Sequence, residues 1–216
     1  RKHHQGRPHL HLVTQLGNQG HSSGSIRRFC EWIWDGAIGD VHTVHARCSA
    51  QHNKVKLFGQ RNQDVPIPKG FDWDLWQGPA QARKFHSMYY IRGAWRGWSP
   101  YGCGTIGDWI CHVVDPSFWA LDLGSPRSVR AECDGYDPVA HADTFPSRAK
   151  VVFEFPATRK RNAVVLVWHS ANEEIPQPAQ LEPGRTPPRT GAVVYGTKGQ
   201  IMHGSHGAGD CTLFPV

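Results

Sequence analysis

The sequence predicts an α+β domain: an open, largely antiparallel sheet with helices on one face. Three observations predict it. The last third alternates apolar or β-branched runs with turns, at Ser128–Cys133, Arg148–Phe155, Ala163–His169, Ala192–Tyr195 and Gln200–His203. Consecutive strands with hairpin-like links pair antiparallel. Helical periodicity lies earlier in the chain, so helices and strands are segregated and the helices can cover one sheet face. Nine Trp among 216 residues supply material for a sizeable core.

In chain order, Leu10–Leu16 reads as a short apolar strand stopped by Gly17-Asn18. The turn Asn18-Gln19-Gly20-His21 would then present polar groups at the strand's carboxyl end, where α/β sheets meet ligands; Asn18 and Gly20 are also ordinary turn formers. Ser22–Ser23 caps a helix in which Ile26, Phe29, Cys30, Ile33 and Trp34 recur every three or four residues, giving one buried apolar face. Gly36 ends it. Gly39-Asp40 turns the chain into a strand, Val41–Ala50, where His42, Val44 and Ala46 alternate with Thr43, His45 and Arg47.

Gln51–Gly70 is polar and interrupted by Pro66 and Pro68, a long loop of the kind that is usually functional or mobile. Trp73 and Trp76 are three apart, so a helical turn should bury both rings. Between Tyr89 and Trp98, Tyr89, Tyr90, Trp95 and Trp98 alternate with Arg92 and Arg96. Such a stretch can line a sugar or polyol pocket or pack as a surface loop, and composition does not choose.

The stretch Tyr101–Asp115, YGCGTIGDWICHVVD, carries most of the chemistry. Gly102, Gly104 and Gly107 free the backbone for a tight turn or a close approach. A helix follows in which Asp108 and His112 stand one turn apart on one face. A carboxylate beside an imidazole is a candidate proton-transfer pair, although the same spacing also serves solvated pairs. Asp115-Pro116 reads as an N-cap followed by proline at the first position of a second, short helix. That helix carries Phe118, Trp119, Leu121 and Leu123 and ends at Gly124-Ser125-Pro126. Further on, Arg159-Lys160-Arg161 reads as a solvated hairpin turn, and Gly196-Thr197-Lys198-Gly199 links the last two strands.

Composition narrows the function classes. The net charge is +6, but Lys and Arg are scattered and no basic stripe with interleaved aromatics occurs, so nucleic acid is not an expected partner. No run of eighteen apolar residues occurs, so no membrane span is expected. The six cysteines have neither C-x-x-C nor zinc-ribbon spacing and read as reduced, largely buried thiols. His3, His4, His9 and His11 crowd the start without a carboxylate among them, a surface feature more than a metal site. A metal-dependent hydrolase using His112, Asp108 and His169 or His21 lacks a compact ligand set, and no metal is expected.

Several segments together resemble one family: Val13–Ser23 (VTQLGNQGHSS), Ile26–Val41, Phe71–Ala80 (FDWDLWQGPA), Trp95–Trp98 (WRGW), Gly104–Gly124 and Val193–Ile201 (VVYGTKGQI). They look like the Gfo/Idh/MocA oxidoreductases, the glucose-fructose oxidoreductase and inositol dehydrogenase group, and within it a bacterial branch with a tryptophan-rich insert. The resemblance implies a two-domain NAD(P) enzyme. Residues 1–21 would be the tail of its Rossmann domain, and 22–216 a substrate-binding and oligomerisation domain that stops before the family's usual C-terminal helices.

The family's dinucleotide fingerprint, its Glu-Lys-Pro motif and its catalytic lysine are then expected upstream of this chain, which alone should not turn over. NAD or NADP would be bound mainly there, with Asn18 and Gln19 near the nicotinamide. Asp108 and His112 match the family's Asp-x-x-x-His pair. His112 is the implied proton acceptor, and Asp108 would orient it or bind substrate. Arg96, Trp98, Tyr101 and His21 are the expected contacts to a sugar or polyol. An NAD-dependent glycoside hydrolase of the same superfamily, or a non-catalytic carbohydrate-binding or oligomerisation module, fits the same residues. A homo-oligomer through the open sheet face is expected, and the compartment, cytoplasmic or periplasmic, stays open.

Overall fold

Residues 13–15, 17, 19–60, 63–171 and 173–215 are described by a computed structural model. Strands β1 (Val41–Cys48), β2 (Ser128–Cys133), β3 (Ala149–Phe155), β4 (Val164–Ser170), β5 (Gly191–Gly196), β6 (Gly199–Gly204) and β7 (Thr212–Pro215) form one sheet. Its order is β2-β3-β4-β1-β5-β6-β7. β1 and β4 run parallel, and the other neighbours pair antiparallel. This is the expected open, largely antiparallel sheet. The parallel pair arises because more than a hundred residues, including the longest helix, separate β1 from β4 and return the chain in the same direction. β7 was not expected from the sequence, being four residues long and ending in proline.

Helices α1 (Gly24–Trp34) and α4 (Gly104–Ala120) pack on one face. α1 begins where the sequence places it: Ser23 Oγ accepts from the Ile26 amide at 3.3 Å, satisfying one of the donors a helix start leaves open. Ile26, Phe29 and Cys30 are buried against Val44, Ala46, Leu166, Trp168 and Val194 of the sheet. In β1 the alternation holds from Val44 to Cys48 and fails at its start. A register shift between Val41 and Thr43 turns Val41 inward and leaves His42 exposed, as a bulge does by adding one residue to one strand.

Two expectations are corrected on α4. Asp115 is not an N-cap, because one helix runs through Asp115-Pro116 to Ala120. Proline at 116 cannot donate to the His112 carbonyl one turn back, and the amide of His206 supplies that bond instead at 2.8 Å. Nor is Arg161 simply solvated. Its guanidinium donates to the carbonyls of Leu121 (2.8 Å) and Leu123 (3.0 Å) just past the end of α4 and to those of Pro156 and Asn162, a cation at the negative end of the helix.

The tryptophan-rich region builds a second core. Trp73 of α2 (Trp73–Gln77), Tyr90 of α3 (Ser87–Tyr90), Phe85 and Trp98 are buried together. Trp73 and Trp76 stack at 4.9 Å; the expected burial of both rings holds for Trp73, while Trp76 is only half-buried. On the other sheet face, Ile175, Val193, Met202 and Phe214 form a small cluster, and the proline-rich segment is tied down by Tyr195 to the Pro176 carbonyl and Arg47 to the Pro188 carbonyl. The Leu10–Leu16 strand falls mostly outside the described residues, and Val13–Gln15 lie in no helix or strand. No described helix is long and apolar enough to cross a membrane.

Candidate functional site

One turn of α4 faces a cavity of about 400 Å³, lined by His112 and Asp115 of the helix, Gly20 and His21 of the 3-10 turn Gln19–Ser22, and His206 and Gly207 of the β6–β7 loop. Three separate elements therefore converge on it. The loop is held down by backbone. Gly207, at φ +90, leaves no room for a side chain, since a Cβ there would come within 2.1 Å of the Gly20 carbonyl oxygen. Ser23 Oγ donates to the Gly207 carbonyl at 2.9 Å, and Ala208 is fully buried.

His206 is stacked on His112, with ring centroids 4.4 Å apart and planes at 19°. Its φ of +56 is unfavourable for a side-chain-bearing residue and is maintained by the loop's docking. Its Nδ1 lies 2.8 Å from Ser205 Oγ. Among the described residues, His112 has no hydrogen-bond partner on either ring nitrogen. Burial and then the neighbouring His206 lower its pKa, and Asp108 acts weakly the other way. The ring is therefore neutral near pH 7, with an unshared nitrogen lone pair.

His21 is oriented differently. Its Nδ1 lies 2.9 and 3.1 Å from the two carboxylate oxygens of Asp115, and its ring stacks on Trp119 at 4.3 Å. A carboxylate thus fixes one nitrogen of this imidazole and leaves the other open.

Asp108 serves a neighbouring cluster. Its carboxylate accepts from Arg96 Nε at 3.2 Å and lies 3.1 Å from His52 Nε2. That same nitrogen lies 3.1 Å from Trp109 Nε1. An indole N–H only donates, so it pairs with His52 when Nε2 carries no proton, and Asp108 pairs with it when Nε2 does. Burial lowers the His52 pKa against the pull of Asp108, so the ring is neutral near pH 7 and its tautomer decides between the two partners.

Residues 32–174 match the profile of the oxidoreductase family, C-terminal alpha/beta domain, of the Gfo/Idh/MocA group. The chain belongs to this family. Solved structures similar to it include the WlbA dehydrogenase of Bordetella pertussis in complex with NADH and UDP-GlcNAcA, at 15% identity and TM-score 0.47 over 91% of this chain and 45% of that one. An NAD binding oxidoreductase of Klebsiella pneumoniae is similar at 14% identity and TM-score 0.48, over 92% and 42%. The Gal80p super-repressor mutant of Saccharomyces cerevisiae is similar at 13% and 0.47, over 93% and 47%. The chain spans less than half the length of each of these structures. No curated protein matches it.

Of the residues singled out for this family's site, His112 and His21 share the cavity, while Asp108 and Arg96 pair with each other one turn away. Trp98 is fully buried in the aromatic core. Tyr101 borders that core, its hydroxyl buried and without a hydrogen-bond partner among the described residues. Asn18 and the side chain of Gln19 lie outside the described residues. His169 sits on the opposite sheet face beside His45. Among the described residues no group of three or more His, Cys, Asp or Glu is placed to hold a metal ion.

Sequence reasoning missed Asp115 and His206. The N-cap reading absorbed the first. The second sits in Gly204-Ser-His-Gly-Ala-Gly209, a histidine in a glycine-rich run, the same signal that singled out Tyr101–Asp115. One further point is corrected. Gly102-Cys-Gly-Thr-Ile-Gly107 has the Gly-x-Gly-x-x-Gly spacing that was expected only upstream of this chain. The likeness is in spacing alone, because no strand precedes it and packing uses up its glycines. A Cβ would lie 2.7 Å from Arg96 Cα at Gly102, 2.6 Å from the Phe145 ring at Gly104 and 2.5 Å from Cys103 Cβ at Gly107.

Proposed function

We propose that this domain binds a sugar or polyol and that His112 accepts the proton of the hydroxyl being oxidised. The observation that carries the proposal is a neutral imidazole without a ring hydrogen bond, facing a cavity of small-ligand size in an oxidoreductase domain. A nicotinamide cofactor, NAD or NADP, would supply the hydride acceptor when bound. Gly17, His21, His112 and Asp115 line the part of the cavity that the ring end of such a cofactor would take, while Gly20 and Gly207 serve to pack the turn and the β6–β7 loop on each other. They offer no cradle for its phosphates, because packing fills the glycine run at the start of α4.

In this reading residues 1–21 close a Rossmann domain, with Asn18 and Gln19 nearest the nicotinamide, and 22–216 form the substrate domain. The sheet face opposite α4 carries self-association. His206 orders the His112 ring by stacking. Asp108 acts on His112 through space and holds Arg96, while His21, fixed by Asp115, offers its open nitrogen to a second substrate hydroxyl.

The hydrogen bond that His21 Nδ1 donates to Asp115 favours one rival assignment, in which His21 is the proton acceptor and His112 binds substrate. Turnover by the protein carrying this domain, with hexoses and cyclic polyols and either cofactor, separates the two. His112→Asn should lower kcat by ~10²–10⁴-fold, the range for a general base, and His21→Asn by less than about tenfold. The opposite order transfers the role to His21. Full turnover in both variants removes the cavity from the chemistry. Sugar release without net NADH would assign the domain to the glycosidase branch.

A further inference from the structure

The long loop after β1 opens a second cavity, of about 660 Å³, lined by Asn53, Lys54, Lys56, Ser147, Arg148 and Ala171 among others. It lies at the carboxyl ends of β1 and β4 and shares no lining residue with the His112 cavity. Its charge is one-sided: two lysines and an arginine line it, and no carboxylate does. Arg148 reaches Glu173 at 3.5 Å, a long contact to a carboxylate that also serves His169.

Lys54 is the most constrained of the three. Its stem lies against Gly97, where a Cβ would come within 3.1 Å of Lys54 Cε, and its amide is anchored to Thr144 Oγ1 at 2.8 Å. Among the described residues its ammonium has no carboxylate or hydrogen-bond partner, and burial alone lowers its pKa. A cation held half out of water without a counter-charge is unfavourable, and a bound anion removes that cost. The lining also includes Ala171, buried with φ +66, a conformation that a side-chain-bearing residue keeps only under constraint from its surroundings.

We propose that this cleft binds a small polyanion bearing phosphate or carboxylate groups, with Lys54, Lys56 and Arg148 as its cations and Asn53 and Ser147 as hydrogen-bond partners. The proposal is independent of the reaction assigned to His112. Calorimetric titration of the 216-residue chain with inorganic phosphate, and separately with citrate, at low ionic strength and pH 7 tests it. Saturable one-to-one binding is expected, weakened about tenfold or more in Lys54→Met and in Arg148→Gln, the scale of a hydrogen bond to a charged group. Lys54→Arg should keep most of the affinity, and Lys69→Gln, which removes an equal charge elsewhere, should change nothing. Thermal melts of each variant separate lost binding from lost folding. Tighter phosphate binding points to a phosphate ester as the ligand, tighter citrate binding to a polycarboxylate. Absence of saturable binding, or an equal loss in Lys69→Gln, overturns the site.

Discussion

Two pairs of histidines meet among the described residues, and they are built for opposite purposes. On the open sheet face, Nδ1 of His45 lies 3.1 Å from Nε2 of His169, whose own Nδ1 lies 3.3 Å from Glu173. Protons can be assigned consistently along that line: His169 donates to Glu173, and His45 donates to the nitrogen that His169 leaves bare. Burial and its neighbours His169 and Lys150 push the His45 pKa down to about 4, and burial lowers that of His169, so both imidazoles are neutral and hydrogen-bonded along the line. In the cavity, His112 and His206 stack face to face with no hydrogen bond between their rings. A satisfied imidazole is a structural part; an unsatisfied one facing a cavity is available to a ligand.

The largest effect that tests this contrast is on chemistry. His112→Asn should leave the melting temperature nearly unchanged and remove turnover, whereas His45→Asn should lower the melting temperature and leave kcat within about threefold, away from the base's 10²–10⁴ range. A His45 variant that lost turnover at full stability would break the distinction.

The next effect is on stability against pH. His203 is fully buried between the sheet and α1, edge-on to Phe29, with its pKa near 4 against an ordinary 6.5. With both His45 and His203 lowered in the folded state, the unfolded chain binds more protons between those values, so stability rises with pH there. It is fully present above about pH 6.5 and is lost as pH falls toward 4. For His203 the loss is on the order of 3 kcal/mol. Melting curves from pH 7 to 4.5 should show the decline, and His203→Gln should flatten it. A variant curve parallel to the wild type would assign the acid sensitivity to other groups.

Much of this architecture was legible in the sequence because it rests on local periodicity. The Ser23 cap, the spacing of Ile26, Phe29 and Cys30, and the Gly196–Gly199 hairpin each need only a few neighbouring residues to specify them. The site was legible in half. His112 stands out by its spacing from Asp108, yet that carboxylate turns to Arg96 and His52, and the partner that touches His112 comes from 94 positions further along, at His206. Helical spacing says which side chains share a face. It does not say which tertiary neighbour each meets. Pro116 misled for the same reason: locally it signals a helix start, and only the loop that supplies the missing donor lets the helix continue.

The smallest effect sharpens the contrast most. If Pro116 frees the His112 carbonyl for the His206 amide, then Pro116→Ala gives the helix its own donor there and the two amides compete. Helix propensity favours alanine by up to ~3 kcal/mol in an interior position, while the loop loses one hydrogen bond worth about 1 kcal/mol. Melting temperature should therefore hold or rise, while the His206 amide exchanges faster and turnover falls about fivefold, the equivalent of that one bond. Stability and turnover moving in opposite directions would identify Pro116 as a positioning residue. Unchanged exchange at His206 would instead show that Gly207 packing on Gly20 and the Ser23 bond hold the loop, leaving the proline with no part in aligning the stacked rings.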